Sequence, residues 1–248
     1  MKLVVTGAAG RVGTVLRPAL VEHAVRVVDR HPVAGWAEVV VADLRDPDVA
    51  AAAVEGADAV LHLAGNPRPD AVWDQLLPAN IVTTATVLDA AAAARVSRVV
   101  VASSVHALGG YLRPAVREPI DPQGAPLPCC RYGASKAFAE AAGAATAHSS
   151  STSVVCLRLG GCRSEPPNAG YARTWIGTDD LRSLVLAALT ADLRYGVFAG
   201  ISANATSPFG PGTAARDLGW VPRQNSATYG DLPDGTSGVL CSPAPDDS

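Results

Sequence analysis

The chain has 248 residues, 48% of them hydrophobic, which is enough to bury a large core within one domain. A formal net charge of −3 and a pI near 5.9 exclude the basic surface that binding to nucleic acid requires. The apolar runs are too short to span a bilayer, and the first residues start a strand pattern rather than a signal peptide, so we expect a cytoplasmic protein without a membrane segment.

The first predicted unit is a strand, a glycine-rich turn and a helix. A β-branched run over residues 2–6 leads into Gly7, Gly10 and Gly13. Glycines let a phosphate approach the backbone closely, and the N-terminus of the following helix supplies N–H donors and a positive dipole end. The spacing differs from the usual Gly-x-Gly-x-x-Gly, so this turn alone is weak evidence for a dinucleotide site.

A second strand, predicted over residues 25–28, ends in an acidic residue, Asp29. At this distance from a glycine turn, dinucleotide-binding folds place the carboxylate that holds the adenosine ribose. The carboxylate accepts hydrogen bonds from both ribose hydroxyls and repels a 2′-phosphate, which favours NAD. Arg30 follows directly and could hold such a phosphate instead, so NADP stays open as an alternative.

Strands and helices continue to alternate along the chain. We predict strands over residues 39–42, 60–65 with its turn, 98–102, 153–159 and 197–201, and helices over residues 47–54, 71–94 and 181–193. This alternation predicts an α/β fold in which a doubly wound parallel sheet is covered by helices on both faces. We expect Pro78 to kink the long helix, and residues 178–180 to form the N-cap of the last one. His62 lies inside an apolar run and is predicted to be a core histidine.

One domain over residues 1–230 accounts for these elements, with substrate-binding elements within residues 161–222. From residue 231 the chain is rich in Asp, Pro, Ser and Gly. That composition is typical of a mobile tail, which we expect over residues 231–248.

A tyrosine and a lysine lie four residues apart on a helix predicted to begin near residue 131. Tyr132 and Lys136 then share one helix face, and a cation beside a phenol lowers the pKa of that phenol. Tyr132 is therefore a candidate for proton transfer. Apart from Lys2, Lys136 is the only lysine in the chain, which indicates that this position needs an ammonium rather than a guanidinium. The alternative is a half-exposed tyrosine beside a surface lysine.

The cysteines show no spacing that is typical of metal sites. The chain contains five of them, Cys129, Cys130, Cys156, Cys162 and Cys241. They form no Cys-x-x-Cys pair, and no histidine stands at ligand spacing, so we expect neither a metal nor a disulfide framework. The adjacent pair at residues 129–130 is expected to be a loop feature, with a redox role as the alternative.

Taken together, the motifs resemble those of the extended short-chain dehydrogenases/reductases over residues 2 to about 222. Within that family the chain is most similar to the uronate dehydrogenases. The residues that carry the resemblance are the glycine turn with Thr6, Asp29, Asp43-Leu44, Leu63-Ala64-Gly65, Ser103-Ser104-x-His106, Tyr132-x-x-x-Lys136, residues 158–162 with 174–180, and residues 202–204 ahead of 218–220. The resemblance implies a Rossmann-like fold with a small C-terminal substrate-binding portion.

The resemblance also implies roles for individual residues. Tyr132 would exchange a proton with the substrate oxygen, Lys136 would bind the nicotinamide ribose and lower the pKa of Tyr132, and Ser104 would hydrogen-bond the reacting oxygen. The implied cofactor-binding residues are Gly7, Gly10, Arg11, Val12, Gly13, Asp29, Arg30, Asp43, Leu44, Leu63, Ala64, Gly65, Asn80, Tyr132, Lys136 and Leu159. The implied substrate-binding residues are Ser104, Val105, His106, Gly161 and Arg173. No residue is assigned to a metal.

The chain departs from the uronate dehydrogenases at the substrate end. Val105 stands where they have an asparagine, and Gly170 stands where they place the arginine that holds the sugar carboxylate. A buried carboxylate without its cation costs on the order of several kcal/mol. Either Arg173, three residues further on, has taken over this role, or the substrate is not a uronate.

We therefore expect an NAD(P)-dependent oxidoreductase that acts on CH–OH groups and interconverts a secondary alcohol and a ketone. Its substrate is expected to be a small, polar, cyclic metabolite, neutral and sugar- or nucleoside-like, as for a ketoreductase of specialised metabolism. A uronate dehydrogenase that forms a lactone is the alternative. A sugar epimerase and a non-catalytic NAD(P)-binding sensor are less favoured, since the C-terminal portion is small and a sensor does not need Ser104, Tyr132 and Lys136 together. The resemblance also implies a homodimer.

Overall fold

The computed structural model describes residues 1–112, 119–235 and 241. The strands are β1 (Lys2–Thr6), β2 (Ala24–Asp29), β3 (Glu38–Val41), β4 (Ala59–His62), β5 (Arg98–Ser104), β6 (Ser153–Leu159), β7 (Gly161–Cys162), β8 (Trp175–Ile176) and β9 (Tyr195–Gly200). Seven of them form a parallel sheet in the order β3-β2-β1-β4-β5-β6-β9, and β7 pairs with β8 beside it. The direction of winding changes between β1 and β4, which is where ligands bind in sheets of this kind.

Helices cover both faces of the sheet. They are α1 (Arg11–Leu16), α2 (Pro47–Val54), α3 (Trp73–Leu76), α4 (Thr83–Ala93), α5 (Arg131–Ser149), α6 (Ala169–Ala172), α7 (Thr178–Thr190) and α8 (Ala214–Asp217), with a π-helical turn at Leu77–Val82 and a 3-10 segment at Val105–Leu112. Successive strand residues point to opposite faces, so Leu3 and Val5 pack with α1 and α7, whereas Val4 packs with α2, α4 and α5. The predicted doubly wound α/β fold is confirmed.

The predicted bounds of α2 and β6 are confirmed, and the predicted helix over residues 71–94 is present with an interruption. The π-helical turn at Leu77–Val82 contains Pro78, which lacks the amide hydrogen that a regular helix needs at this point. The run Trp73–Ala93 is apolar enough to cross a membrane by length and composition alone. It lies on the sheet, with Val87 and Leu88 buried against β4 and β5 residues, so its composition is that of a core helix.

The predicted N-cap of α7 is wrong. The helix begins at Thr178, and none of the residues 178–180 caps it through a side chain. Instead Gln224 Oε1 accepts hydrogen bonds from the amides of Asp179 and Asp180 at 3.0 and 3.1 Å. The Asp180 carboxylate in turn accepts from the amides of Arg223 and Gln224 and from the Ser202 hydroxyl. Because these partners lie more than twenty residues away in the chain, local sequence patterns could not indicate them.

The segment predicted as a mobile tail begins in contact with the domain. The carbonyl oxygens of Pro233 and Gly235 accept hydrogen bonds of 3.0 Å from the amides of Ala169 and Gly170 at the start of α6. Residues 231–235 are therefore attached to the domain, which differs from the mobile tail that the sequence predicts. The cause is that the first amides of α6 have no acceptor within the helix and bind these carbonyl groups instead. The remaining predicted tail, residues 236–240 and 242–248, lies outside the described residues apart from Cys241.

His62 at the end of β4 is a buried core histidine, as predicted. Its Nδ1 lies 2.8 Å from the Thr6 hydroxyl and its Nε2 lies 3.0 Å from the Thr84 hydroxyl. The Thr6 hydroxyl oxygen also accepts from the amide of Ala64 at 3.2 Å, so its own proton is available for Nδ1. Burial, with the Lys136 charge adding to it, lowers the pKa of His62 to about 3. The ring is therefore neutral and fully paired at neutral pH.

This pairing predicts an acid-sensitive contribution of His62 to stability. An unfolded histidine binds a proton below about pH 6.5 while the folded one stays neutral, so the free energy of unfolding falls by up to about 1.4 kcal/mol per pH unit below that pH. In His62→Gln this contribution is absent. Urea denaturation gives the free energy of unfolding of both proteins at pH 7 and at pH 5. We expect the difference between the wild type and the variant to be about 2 kcal/mol smaller at pH 5 than at pH 7. An equal advantage at both pH values contradicts the assignment.

Candidate active site

A cavity of about 750 Å³ opens at the carboxyl ends of the strands, around the point where the winding changes direction. Most of the predicted site residues line it. They are Gly7, Gly10, Arg11, Val12, Asp29, Arg30, Asp43, Leu44, Leu63, Ala64, Gly65, Ser104, His106, Tyr132, Lys136, Leu159 and Gly161. The structure therefore brings the glycine turn and the predicted catalytic residues to one cavity.

The glycine turn is held close to the end of β4. Gly7 has φ of 71°, and a Cβ at this residue would lie 2.5 Å from the backbone of Ala64. Gly13 lies under the turn rather than in the cavity, where a Cβ would come within 2.5 Å of the Ala8 carbonyl oxygen. Its role is thus close packing of α1, which differs from the predicted contact with a cofactor. These two positions require glycine because any side chain would push the strands and α1 apart.

Asp29 ends β2 beside this turn and helps to shape it. One carboxylate oxygen accepts from the amide of Ala9 at 2.9 Å and the other accepts from the amide of His31 at 3.0 Å. No side chain of the described residues caps the first turn of α1, so its N-terminus faces the cavity without an internal anion. A glycine cradle, an uncapped helix start and a carboxylate at the next strand end fit the phosphates and ribose of a dinucleotide.

Tyr132, Ser104 and Lys136 meet where α5 packs on the end of β5. Gly133 permits this contact, because a Cβ there would lie 2.3 Å from the carbonyl oxygen of His106. Tyr132 is buried, and its ring meets the His106 ring edge-on with centroids 5.4 Å apart. Lys136 Nζ donates to the carbonyl oxygen of Ala102 at 2.8 Å and lies 5.8 Å from the centre of the Tyr132 ring.

The electrostatics of this trio differ from the prediction. Burial raises the pKa of Tyr132 to about 12, while a hydrogen bond with the Ser104 hydroxyl acts in the opposite direction. Burial also lowers the pKa of Lys136 to about 8. The pKa of Tyr132 thus lies above its ordinary value rather than below it as expected, because removal of the phenolate from water outweighs the hydrogen bond with Ser104. The phenol is protonated at neutral pH.

Asn80 lies behind the cavity wall rather than in it. Its Oδ1 accepts from the amide of Asn66 at 2.7 Å, and its Nδ2 donates to the Asn66 carbonyl oxygen and to Ser135 Oγ at 3.2 and 2.9 Å. Ser135 Oγ donates to the carbonyl oxygen of Tyr132 at 2.7 Å. Asn80 therefore ties the loop after β4 to the first turn of α5, which carries Tyr132, and it does not line the cavity in which the predicted cofactor contact would lie.

Two predicted substrate residues, Val105 and Arg173, are absent from the cavity lining. Val105 is fully buried and packs with Leu108 and Trp175 in a separate apolar cluster. Arg173 Nε donates to the carbonyl oxygen of Thr206 at 3.3 Å. The direction of both side chains is set by tertiary packing, which sequence spacing does not report.

Tyr171 at the substrate end was not predicted. It comes from α6 and lines the cavity, and a Cβ at Gly161 would lie 2.2 Å from its ring. The guanidinium carbon of Arg163 lies 5.8 Å from the centre of the same ring. The sequence pattern around Tyr171 predicts neither a strand nor a helix, so an aromatic residue shortly after Gly170 is the one local signal for this contact.

A buried ion pair supports the end of β5 from behind. Arg158 donates to both oxygens of the Glu140 carboxylate, at 2.9 and 2.8 Å, and both side chains are nearly inaccessible to solvent. Ser103 Oγ donates to the same carboxylate at 2.6 Å. Arg158 Nη1 also donates to the carbonyl oxygens of Pro122 and Gly124. An arginine inside an otherwise apolar strand was the available signal for this network.

Comparison with known proteins agrees with this geometry. Residues 3–222 match the model of the NAD dependent epimerase/dehydratase family. The chain is 34% identical to an NAD-dependent glucose-6-phosphate dehydrogenase of Haloferax volcanii over 92% of this chain and 95% of that protein. It is 36% identical to an L-arabinose 1-dehydrogenase (NAD(P)(+)) of the same organism, over 92% of this chain and 98% of that protein.

A solved structure is similar over the same length. The crystal structure of uronate dehydrogenase from Agrobacterium tumefaciens superposes with a TM-score of 0.83 at 33% identity, covering 92% of this chain and 86% of that one. These findings confirm the predicted Rossmann-like fold and the resemblance to uronate dehydrogenases. They also confirm NAD as the predicted cofactor and an oxidoreductase acting on CH–OH groups as the predicted enzyme class. By its match over residues 3–222 and by these relatives, the chain belongs to the NAD dependent epimerase/dehydratase family.

Proposed function

We propose that the protein is an NAD-dependent sugar dehydrogenase that oxidises a ring CH–OH group of a cyclic sugar, preferentially at C1. One observation carries the proposal. Tyr132, Ser104 and Lys136 are buried together at one end of the cavity whose other end is formed by the glycine turn and Asp29. A hydroxyl, a phenol and an ammonium beside a dinucleotide cradle suit proton transfer coupled to oxidation.

The two ends of the cavity would bind the cofactor and the sugar, respectively. The glycine turn and the N-terminus of α1 would hold the pyrophosphate, Asp29 would accept from the adenosine ribose hydroxyls, and Lys136 would bind the nicotinamide ribose. NAD supplies the hydride acceptor when bound. Ser104 would orient the sugar hydroxyl, and the Tyr132 oxygen would receive its proton.

The substrate end favours a neutral aldose, whose oxidation at C1 gives a lactone. Gly170 offers no side chain at the position of the family's carboxylate-binding arginine, and its amide donates to Gly235 at 3.0 Å. Arg173 is absent from the cavity lining. The L-arabinose 1-dehydrogenase relative, 36% identical, bears a name that fits this reading.

Oxidation of a uronate is the second candidate, and Arg163 favours it. Its guanidinium carbon lies 5.8 Å from the ring centre of Tyr171, which lines the cavity, although Arg163 itself is not a lining residue. From there the guanidinium could meet a carboxylate or a phosphate of a substrate that reaches past Tyr171. The uronate dehydrogenase and glucose-6-phosphate dehydrogenase relatives bear names of acidic substrates. A ketoreductase on a neutral metabolite runs the same transfer in reverse, but the relatives' names favour oxidation as the working direction.

We also propose a cytoplasmic homodimer. Support for a dimer comes from an apolar patch on the α3 and π-helical surface, where Val72, Trp73, Leu77 and Val82 are all more than two-fifths exposed. Large apolar side chains grouped in this way are typical of a protein interface.

Replacing Tyr132 by Phe tests the proton-transfer role. The variant keeps the ring and its contact with His106 but has no exchangeable proton, so we expect sugar oxidation to fall about 10²- to 10⁴-fold. Affinity for NAD, followed by thermal shift, should change little. Undiminished turnover would rule out Tyr132 as the proton acceptor, and NAD binding without turnover of any sugar by the wild type would favour a sensor.

The pH profile tests the hydrogen bond between Ser104 and Tyr132. Because burial raises the pKa of Tyr132 to about 12, the phenolate is scarce and kcat/KM for oxidation is expected to rise from pH 7 to pH 9. The Ser104 hydroxyl lowers this pKa, so in Ser104→Ala the increase in kcat/KM should begin at a higher pH. The value of kcat/KM at each pH should also be lower than in the wild type. A flat wild-type profile, or a shift to lower pH in the variant, contradicts the assignment.

A substrate panel distinguishes the neutral from the acidic candidates. Reduction of NAD is followed by absorbance with L-arabinose, D-galactose, D-glucuronate, D-galacturonate and glucose 6-phosphate. We expect the neutral aldoses to give the highest kcat/KM. If an acid is preferred instead, Arg163→Gln should lower kcat/KM for it about tenfold through loss of a charge-assisted contact, while the matched variant Arg173→Gln should not.

A further inference from the structure

Four side chains with soft ligand atoms converge beside the active site. They are His106 in the 3-10 segment after β5, Cys129 and Cys130 ahead of α5, and Cys241 near the end of the chain. Their ligand atoms all lie within 4.8 Å of one another, and His106 is buried. Sequence spacing did not indicate such a group, because the four residues show no pattern that is typical of metal sites.

The distances within the group fit one tetrahedral ion. His106 Nδ1 lies 3.4, 3.5 and 3.8 Å from the sulfur atoms of Cys129, Cys130 and Cys241, and the sulfur atoms of Cys129 and Cys130 are 4.0 Å apart. Zinc with Zn–S of about 2.3 Å and Zn–N of about 2.0–2.1 Å in tetrahedral geometry sets N to S at about 3.6 Å and S to S at about 3.8 Å. These four separations differ from the ideal values by only a few tenths of an ångström, and the sulfur of Cys241 lies within 4.8 Å of the other two sulfur atoms.

We propose that His106, Cys129, Cys130 and Cys241 form a Cys₃His site for zinc or a similarly soft divalent cation. All four coordination positions are filled by the protein, which is the pattern of a structural rather than a catalytic zinc. The site joins residue 241 to the wall of the substrate cavity.

Three of the ligands are held in place by the fold itself. Cys130 Sγ accepts from the amide of Gly133 at 3.4 Å and caps α5, whose positive N-terminal end stabilises a thiolate. The amide of Cys129 donates to the carbonyl oxygen of His106 at 3.4 Å. Because Gly133 also packs directly on that carbonyl group, α5 and the 3-10 segment cannot separate without loss of these contacts. Ligands fixed in this way lose little freedom when they bind an ion.

The site would act on the active site through His106. The same ring lines the cavity and meets the Tyr132 ring edge-on, so coordination of its Nδ1 fixes the plane of one wall beside the reacting group. The cation would also hold Cys241 against this wall. The proposal does not depend on the identity of the sugar.

Metal content of the full-length, tag-free protein tests the proposal. The protein is reduced, freed of metal, incubated with zinc chloride alone, separated from free zinc and analysed by mass spectrometry for zinc per chain. We expect one zinc per chain in the wild type and close to none in Cys129→Ser/Cys130→Ser. The matched control is Cys162→Ser, whose sulfur donates to the Gly160 carbonyl oxygen away from the group, and it should retain one zinc.

Cobalt spectra and thiol alkylation test the ligands in the wild type, and one further variant tests Cys241. The cobalt-loaded wild type should show the intense visible bands and the sulfur charge-transfer band of tetrahedral thiolate coordination. Zinc should protect Cys129, Cys130 and Cys241 from iodoacetamide, as mapped by peptide mass spectrometry, without changing the labelling of Cys162. Cys241→Ser should bind zinc at least tenfold more weakly in competition with a chromophoric chelator.

Several results would overturn the proposal. These are less than one-tenth of a zinc per chain in the reduced wild type, equal zinc in the double variant, or a stable Cys129–Cys130 disulfide that persists in the presence of zinc. Equal zinc affinity in Cys241→Ser would show that Cys241 is not a ligand and would overturn the four-ligand site. Since all of these are measured without turnover, they are separable from a failure of the proposed dehydrogenase activity.

Discussion

The buried ion pair between Glu140 and Arg158 holds the active-site end of the sheet together. Loss of one partner would leave an uncompensated buried charge, a change that costs about 3–5 kcal/mol. The carboxylate also binds the hydroxyl of Ser103, and Ser104 is thereby fixed on the opposite side of β5, toward Tyr132. The guanidinium binds carbonyl groups in the segment that leads to Cys129. One charged pair thus joins α5 and β6 to Ser103, the neighbour of Ser104, and to the segment that leads to the cysteine pair.

Features whose physical cause is local could be predicted from the sequence. The glycine turn, Asp29 and the four-residue spacing of Tyr132 and Lys136 each depend on a few consecutive residues. The bounds of α2 follow from Asp46 and Pro47, which cap and start the helix by themselves. Features that depend on distant partners were missed. The cap of α7 comes from Gln224, and the ligand group around His106 joins residues that span more than a hundred positions.

The electrostatics of the active site show why the charge of Lys136 alone misled the prediction. Tyr132 and Lys136 are both buried, and burial favours the neutral form of each: the pKa of the phenol rises to about 12 and that of the amine falls to about 8. At neutral pH the phenol is therefore protonated, and Lys136 is an ammonium that gives up its proton more readily than an exposed lysine does. The hydrogen bond with the Ser104 hydroxyl lowers the pKa of the phenol and so acts against burial.

The two ends of the cavity differ in how their positions are determined. The cofactor end is built from β1, α1 and β2, which are consecutive in the chain, so its chemistry is fixed together with the fold. The other end of the cavity is assembled from the 3-10 segment, β7 and α6, which supply His106, Gly161 and Tyr171. None of these three elements belongs to the seven-stranded sheet. Similar proteins bear the names of different sugars, L-arabinose and glucose 6-phosphate among them. A cation held between His106 and Cys241 would be one way to make such an assembled end rigid.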